Sequence, residues 1–168
     1  MKPLTLLAGL VLAAIALPAA AAQPKLIGTY TDWDAFSLGH GSTGECYVVT
    51  IPKSFKPADA SHGNVYIMVS IKPANNVAGE FSLAVGYDLK PGSDVTLTSG
   101  GFREVLFVSG REAWAYDAKG DARIVAAMKN GQTLSAKAIS SRGNNTSYEF
   151  SLAGFSNAFS AASGACGR

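Results

Sequence analysis

The chain has 168 residues, of which 48% are hydrophobic and 15% are charged, with a formal net charge of +2 at neutral pH. So small a charge gives no electrostatic reason to expect binding to nucleic acid or to anionic lipid. The length fits one domain with a substantial core, even after an N-terminal segment is removed.

The first 22 residues have the layout of a secretory signal peptide. Lys2 precedes an apolar run from Leu4 to Leu17, Pro18 ends that run, and small residues follow as far as Ala22. This order is typical of a cleaved signal peptide. A membrane anchor is the alternative, but the run is short of the roughly 20 residues that span a bilayer. We predict cleavage after Ala22, a single mature domain over residues 23–168, and a periplasmic, secreted or outer-surface location without a membrane span.

Beyond this segment, apolar residues recur mostly at every second position, which predicts strands with one buried face. Turns rich in Gly, Pro and Asn separate them. The predicted strands, in chain order, cover residues 26–36, 46–51, 64–72, 80–87, 95–98, 103–108, 112–118, 133–140 and 148–152. Eight or nine short strands at this spacing predict a β-sandwich or a β-barrel, and we expect Trp33 in its core. The longest irregular stretch, residues 52–63, is predicted to be a mobile or functional loop.

Two short helices interrupt the strands. The first prediction is a helix over residues 122–131, with Asp121 as its N-cap and Gly131 ending it in the left-handed conformation. The second is a C-terminal helix over residues 154–164. Its apolar stripe, spaced for one helical face, consists of Phe155, Ala158, Phe159 and Ala162.

The chain contains two cysteines, Cys46 and Cys166. An exported protein enters an oxidising compartment, so an even number of cysteines predicts a disulfide, although two separate buried thiols are an alternative. The disulfide would hold the last helix, which would otherwise fray. Closing so long a loop is expected to contribute at most about 4 to 5 kcal/mol through chain entropy.

Residues that could carry out catalysis are few. The two histidines, His40 and His62, lie in Gly- and Ser-rich surroundings and are interpreted as solvated loop residues. They do not supply the three or four ligands of a zinc site. The GHGSTGE segment (39–45) lacks the lysine of a P-loop and has His40 where an esterase motif needs glycine. Asp32 and Asp34 are expected on a solvated strand face opposite Trp33. We therefore predict no catalytic, cofactor or metal site.

Two residues remain as candidates for contact with a partner. Arg142 falls in the SRGNN turn between two predicted strands, at or near the tip of a hairpin. A lone exposed arginine is ordinary, so a structural role for Arg142 is the alternative. His62 lies within the 52–63 loop and is the second candidate.

Four motifs occur in the order typical of the invasion-associated locus B family. They are AWA at 113–115, AMKNG at 127–131, SRG at 141–143 and SLAGF at 151–155. The chain resembles this family from about Trp33 to Cys166. The resemblance implies an exported protein of Gram-negative bacteria with an immunoglobulin-like β-sandwich, a core Trp114 and no established catalytic residues. The family is named after a member implicated in entry into host red blood cells.

Together these observations predict a non-enzymatic envelope protein that requires no cofactor. It would bind an unknown envelope or host protein, or a surface component, through sandwich edges or end loops, and host-cell interaction is one such role. A periplasmic hydrolase is one alternative, and it would need a nucleophile and a base that the sequence does not display. A small-ligand carrier is another, and it would need a large apolar cavity.

Overall fold

The structure, a computed structural model, describes residues 23–39 and 43–167. The predicted signal peptide and the interpretation of His40 fall outside these residues. The described part of the chain includes eleven strands, two α-helices and a short 3-10 helix over Pro73–Asn75. The strands are β1 (Lys25–Tyr30), β2 (Trp33–Leu38), β3 (Glu45–Thr50), β4 (Ser54–Lys56), β5 (Tyr66–Lys72), β6 (Val77–Ala84), β7 (Asp94–Ser99), β8 (Phe102–Ser109), β9 (Glu112–Ala115), β10 (Thr133–Ile139) and β11 (Asn145–Ser151). The helices are α1 (Ala118–Asn130) and α2 (Phe155–Ala165).

All strands join one antiparallel sheet in the order β1-β2-β3-β5-β6-β9-β8-β7-β10-β11-β4. The sheet folds back on itself, so that strands near its two ends meet. The Trp33 indole Nε1 on β2 donates to the Ser151 carbonyl oxygen on β11 at 3.0 Å. Buried side chains from both halves of the sheet therefore share one core. The predicted mainly-β fold with two helices, the second of them C-terminal, is confirmed. The immunoglobulin-like sandwich stays a prediction.

Helix α2 covers the core beside β1, β2 and β3. All four residues of its predicted apolar stripe are buried, and the Phe155 ring meets the Trp33 ring edge-on with centroids 4.9 Å apart. Trp33 is 1% exposed, so its predicted core position is confirmed. A disulfide joins Cys46 on β3 to Cys166 at the end of α2, as the sequence predicted. The last helix is therefore held by apolar packing along its length and by a covalent bond at its end.

The predicted start of α1 is wrong, whereas its predicted end at Gly131 is confirmed except for the conformation of that glycine. The N-cap is Asp117, whose carboxylate accepts from the Gly120 amide at 2.7 Å. Asp121 instead accepts from the Phe81 amide of β6 at 2.9 Å. Strand β9 pairs with β6 only beyond Phe81, so Asp121 satisfies an amide that β9 does not reach. Gly131 does end the helix but is extended, and a Cβ there would lie 2.4 Å from the Ser99 hydroxyl oxygen.

The strand predictions need two corrections near the N-terminus. The segment predicted as one strand, residues 26–36, is a hairpin of β1 and β2 that turns at Thr31 and Asp32. Asp32 therefore lies in a turn, where it pairs with Lys53 at 2.5 Å, and does not share a strand face with Asp34. The irregular stretch 52–63 contains a short strand, β4, which pairs with β11.

Candidate functional site

A cleft of about 540 Å³ lies where four loops meet, and we call it the His62 cleft. Its walls come from the loop before β5, the β6–β7 connection, the β8–β9 turn and the β10–β11 hairpin. His62 and Arg142, the two residues predicted as partner contacts, both line it. They lie 80 positions apart in the sequence, so the fold brings the two candidates to one place.

The contact between Gly63 and Gly86 positions His62. The Gly86 amide donates to the His62 carbonyl oxygen at 3.0 Å. A Cβ on Gly86 would lie 2.4 Å from the Gly63 Cα and 2.5 Å from the His62 carbonyl oxygen. Gly63 itself has φ +61°, a conformation that favours glycine. Only a pair of glycines allows these two backbones to approach so closely.

His62 is buried at 6% exposure, so its interpretation as a solvated loop residue is wrong. Its Nε2 lies 2.8 Å from the Pro57 carbonyl oxygen, and a carbonyl can only accept, so we place the ring proton on Nε2. In the neutral ring, Nδ1 then accepts from the Tyr148 hydroxyl at 2.8 Å. His62 can be buried because both ring nitrogens have partners, the Pro57 carbonyl nearby in the chain and Tyr148 on β11.

The hydrogen bonds continue from Tyr148 along the floor of the cleft. Because Tyr148 donates to His62, its oxygen accepts from the Tyr87 hydroxyl at 2.7 Å. The Tyr87 oxygen lies 2.6 Å from the Thr146 hydroxyl oxygen, and the Ala138 carbonyl oxygen, 3.3 Å from Thr146, is a further acceptor. Burial, followed by the hydrogen bond with Tyr87, raises the pKa of Tyr148 well above its usual range. Tyr148 therefore stays protonated, and its hydrogen bond to His62 ties the 52–63 loop to β11.

These hydrogen bonds limit what His62 can do in catalysis. A general base needs a nitrogen lone pair that can reach the proton of a substrate. Both ring nitrogens of His62 are already engaged within the protein. The imidazole therefore has a structural role, because it joins the loop to strand β11 through its two hydrogen bonds.

The opposite wall of the cleft is held through the β6–β7 connection. The Ser141 amide donates to the Asp88 carbonyl oxygen at 2.8 Å, and the Lys90 amide donates to the Ile139 carbonyl oxygen at 2.9 Å. The side chain of Asp88 accepts from Arg111 Nε at 2.9 Å. Asp88 thus lies between the segment that carries Arg111 and the hairpin that carries Arg142.

Arg142 lies at the tip of the β10–β11 hairpin, as predicted, and is exposed. Within residues 23–39 and 43–167, it forms no ion pair. The other arginine on the cleft, Arg111, is paired with Asp88. Arg142 therefore places an uncompensated positive charge at the mouth of the cleft.

A second, larger groove of about 1160 Å³ runs between α1, β6 and β9. Trp114 lines this groove and is only half-buried, so its predicted core position is wrong. Its neighbour Ala113 is fully buried, and alternate residues of a strand face opposite ways. The rim carries an ion pair between Lys72 and Glu80 at 2.5 Å. Burial, the largest effect, raises the pKa of Asp121 on the same groove.

The described parts of the chain hold no group of three or more His, Cys, Asp or Glu side chains arranged to bind a metal ion. No helix over the same residues is both long and apolar enough to cross a membrane.

Sequence reasoning missed several residues that build the His62 cleft. Tyr87 and Tyr148 looked like ordinary members of alternating strand patterns, and Gly86 looked like a strand glycine. A signal was present in Tyr148, whose large polar side chain falls on the apolar face of its strand. Arg111 stood in a short turn and carried no signal of its own.

Comparison with known proteins identifies the family. Residues 33–163 match the profile of the family described as invasion associated locus B (IalB) protein. The chain belongs to this family, which confirms the resemblance seen in the sequence.

One similar solved structure is the crystal structure of invasion associated protein B from Bartonella henselae. The TM-score is 0.56 at 19% identity, over 83% of this chain and 94% of that one. At this identity the likeness concerns the fold. No curated protein matches the chain significantly.

Proposed function

We propose that this chain is an exported, non-enzymatic protein of the bacterial cell envelope that binds another protein or a surface component through the His62 cleft. Membership of the invasion-associated family supports export and contact with other molecules. The disulfide between Cys46 and Cys166 suits an oxidising compartment outside the cytoplasm. The mature form is a single domain that begins at residue 23.

One observation carries this proposal. Arg142 presents a charge without an ion-pair partner in the described structure, beside a concave surface whose walls are fixed by hydrogen bonds. Loops held by a rigid scaffold are common binding surfaces, because the scaffold holds the contacting groups in place. Arg142 is the contact residue in this proposal. The buried His62 supports the loop that forms the facing wall.

The two alternatives differ in what they require. A hydrolase would need a nucleophile next to a base, and the histidine on the cleft has both nitrogens occupied. A carrier of small apolar ligands could use the larger groove, although charged side chains stand on its rim. The name of the similar Bartonella protein supports interaction with host cells as one setting in which binding would act.

Photo-cross-linking in living cells tests the proposal. A photoreactive residue would replace Ser141 on one wall of the cleft or Ala60 on the other, so that Arg142 stays in place, with Arg103, an exposed residue of β8 that does not line the cleft, as the matched control. We expect one recurrent product from both cleft positions and not from the control. Identical products from all three positions, or none from the cleft, would count against binding there.

A further inference from the structure

We infer that the His62 cleft holds an anionic oxygen group of its ligand, a carboxylate or a phosphate, with Arg142 and Arg111 as its guanidinium contacts. This inference rests on the proposed function, since it assigns a chemistry to the same cleft. It assigns no ligand to the larger groove beside α1.

The charges on the lining favour an anion. Two arginines and one acidic residue, Asp88, line the cleft within the described residues. Asp88 accepts from Arg111 through Nε alone, which leaves the two terminal nitrogens of that guanidinium without a hydrogen bond to the described residues. Arg142 has no acidic partner in the described structure. A planar guanidinium matches the two oxygens of a carboxylate or phosphate, so the excess of guanidinium groups over acidic groups points to an oxyanion.

A hydroxyl group on the lining adds a further donor. The Ser140 hydroxyl, 8% exposed, accepts from the Asn144 amide at 3.1 Å. Its own hydrogen has no acceptor within residues 23–39 and 43–167, although it lines the cleft. A hydroxyl can donate one bond in addition to those it accepts. The Ser140 hydroxyl thus adds a donor to the two guanidinium groups, which suits a ligand that only accepts.

The cleft is also preorganised. The Ser140 amide donates to the Asn144 carbonyl oxygen at 2.9 Å, and the Gly143 amide donates to the Ser140 carbonyl oxygen at 2.8 Å. These bonds fix the backbone that carries Arg142 before a ligand arrives. Fixing the backbone in advance lowers the entropy lost on binding. The volume of about 540 Å³ lies in the range of small-molecule sites and can admit a sugar or an amino-acid side chain.

Titration followed by NMR tests the inference on the mature protein. The probes are inorganic phosphate, N-acetylglutamate and, as a neutral control, N-acetylglutamine. The signals followed are the Nε–H groups of Arg111 and Arg142 and the amide of Gly143. We expect saturable shifts with at least one anionic probe, no shift with the neutral probe, and weaker binding as salt is added. Phosphate alone would indicate a phosphorylated ligand, and N-acetylglutamate alone a carboxylate.

Three variants sharpen the result. Arg142→Gln should weaken binding of the active probe at least tenfold, and Arg142→Lys should recover only part of it, because lysine lacks the guanidinium fork. Arg103→Gln, the matched control, should bind as the parent does. Absence of a saturable shift with either anion, or equal affinity in Arg142→Gln, would overturn the inference. Cross-linking to a partner in cells together with silent anionic probes would refute this inference and leave the proposed function in place.

Discussion

Replacement of Gly86 by alanine tests how the His62 cleft is built. The added Cβ would lie 2.4 Å from the Gly63 Cα and 2.5 Å from the His62 carbonyl oxygen. Both are backbone atoms, so no side-chain rotation can relieve the overlap, and the loop that carries His62 must move.

Two contributions set the expected loss of unfolding free energy in Gly86→Ala. Overpacking costs about 1 to 3 kcal/mol. Displacement of the loop also breaks the hydrogen bond from the Gly86 amide to the His62 carbonyl oxygen, which contributes about 1 kcal/mol. We therefore expect Gly86→Ala to lower the free energy of unfolding by about 2 to 4 kcal/mol. Movement of the loop should also separate His62 from Tyr148.

Urea unfolding, followed by far-UV circular dichroism, measures the change. The expected loss corresponds to a fall in the midpoint of roughly 1 to 2 M, for a slope of about 2 kcal/mol/M. Gly101→Ala is the matched control, because a Cβ there meets nothing within 4 Å and the backbone is not left-handed. The control should stay within about 0.5 kcal/mol of the parent. Equal midpoints for the parent and Gly86→Ala would refute the reasoning.

Three further outcomes are expected. In the denatured, unreduced protein an alkylating reagent should label no thiol, and reduction should cost at most about 4 to 5 kcal/mol in urea unfolding. Asp121→Ala should lower the free energy of unfolding by about 1 to 3 kcal/mol, because the Phe81 amide loses its acceptor. Asp121→Asn should leave the free energy of unfolding unchanged at neutral pH, because asparagine keeps an acceptor and carries no charge. Burial raises the pKa of Asp121, which means that the charged carboxylate is disfavoured there. Arg123→Ala should slightly lower the free energy of unfolding at neutral pH, because it removes the ion pair with Glu104. Unfolding at falling pH should show that cost vanish, because Arg123 lowers the pKa of Glu104 and their pairing is lost below that pKa.

Local patterns predicted much of the fold. Alternation located β3, β5, β7, β8 and β10 to within two residues at each end. The apolar stripe located α2, and the cysteine count with the inferred export predicted the disulfide. In each case the information lies within a short window or in composition, so no knowledge of distant contacts was needed.

The failures have a common physical cause, which is dependence on distant residues. Strand β4 has three residues and exists through pairing with β11. The turn at Thr31 has no glycine, although Thr31 has φ 57°, so the hairpin of β1 and β2 looked like one strand. Asp121 lost its predicted cap role because it satisfies an amide on β6. None of these partners can be located from a window around the residue itself.

The candidate site shows the same limit more strongly. Arg142 was placed at a hairpin tip from its neighbours in the sequence. The burial of His62 was not foreseen, because its partner Tyr148 lies 86 positions away. The close contact of Gly63 with Gly86 depends on two backbones meeting in space. Sequence reasoning could name both candidate residues, but only the structure places them on one cleft.

The central claim is that the molecule binds its partner at the His62 cleft through Arg142. The most direct measurement is photo-cross-linking in cells from position 60, performed in the parent and in Arg142→Glu. Position 60 and Arg142 line the same cleft, and Arg142 is exposed and forms no ion pair within the described residues, so the charge reversal breaks none. We expect the recurrent cross-linked product to disappear in Arg142→Glu while the protein remains folded and abundant. The same product at the same yield would contradict the claim.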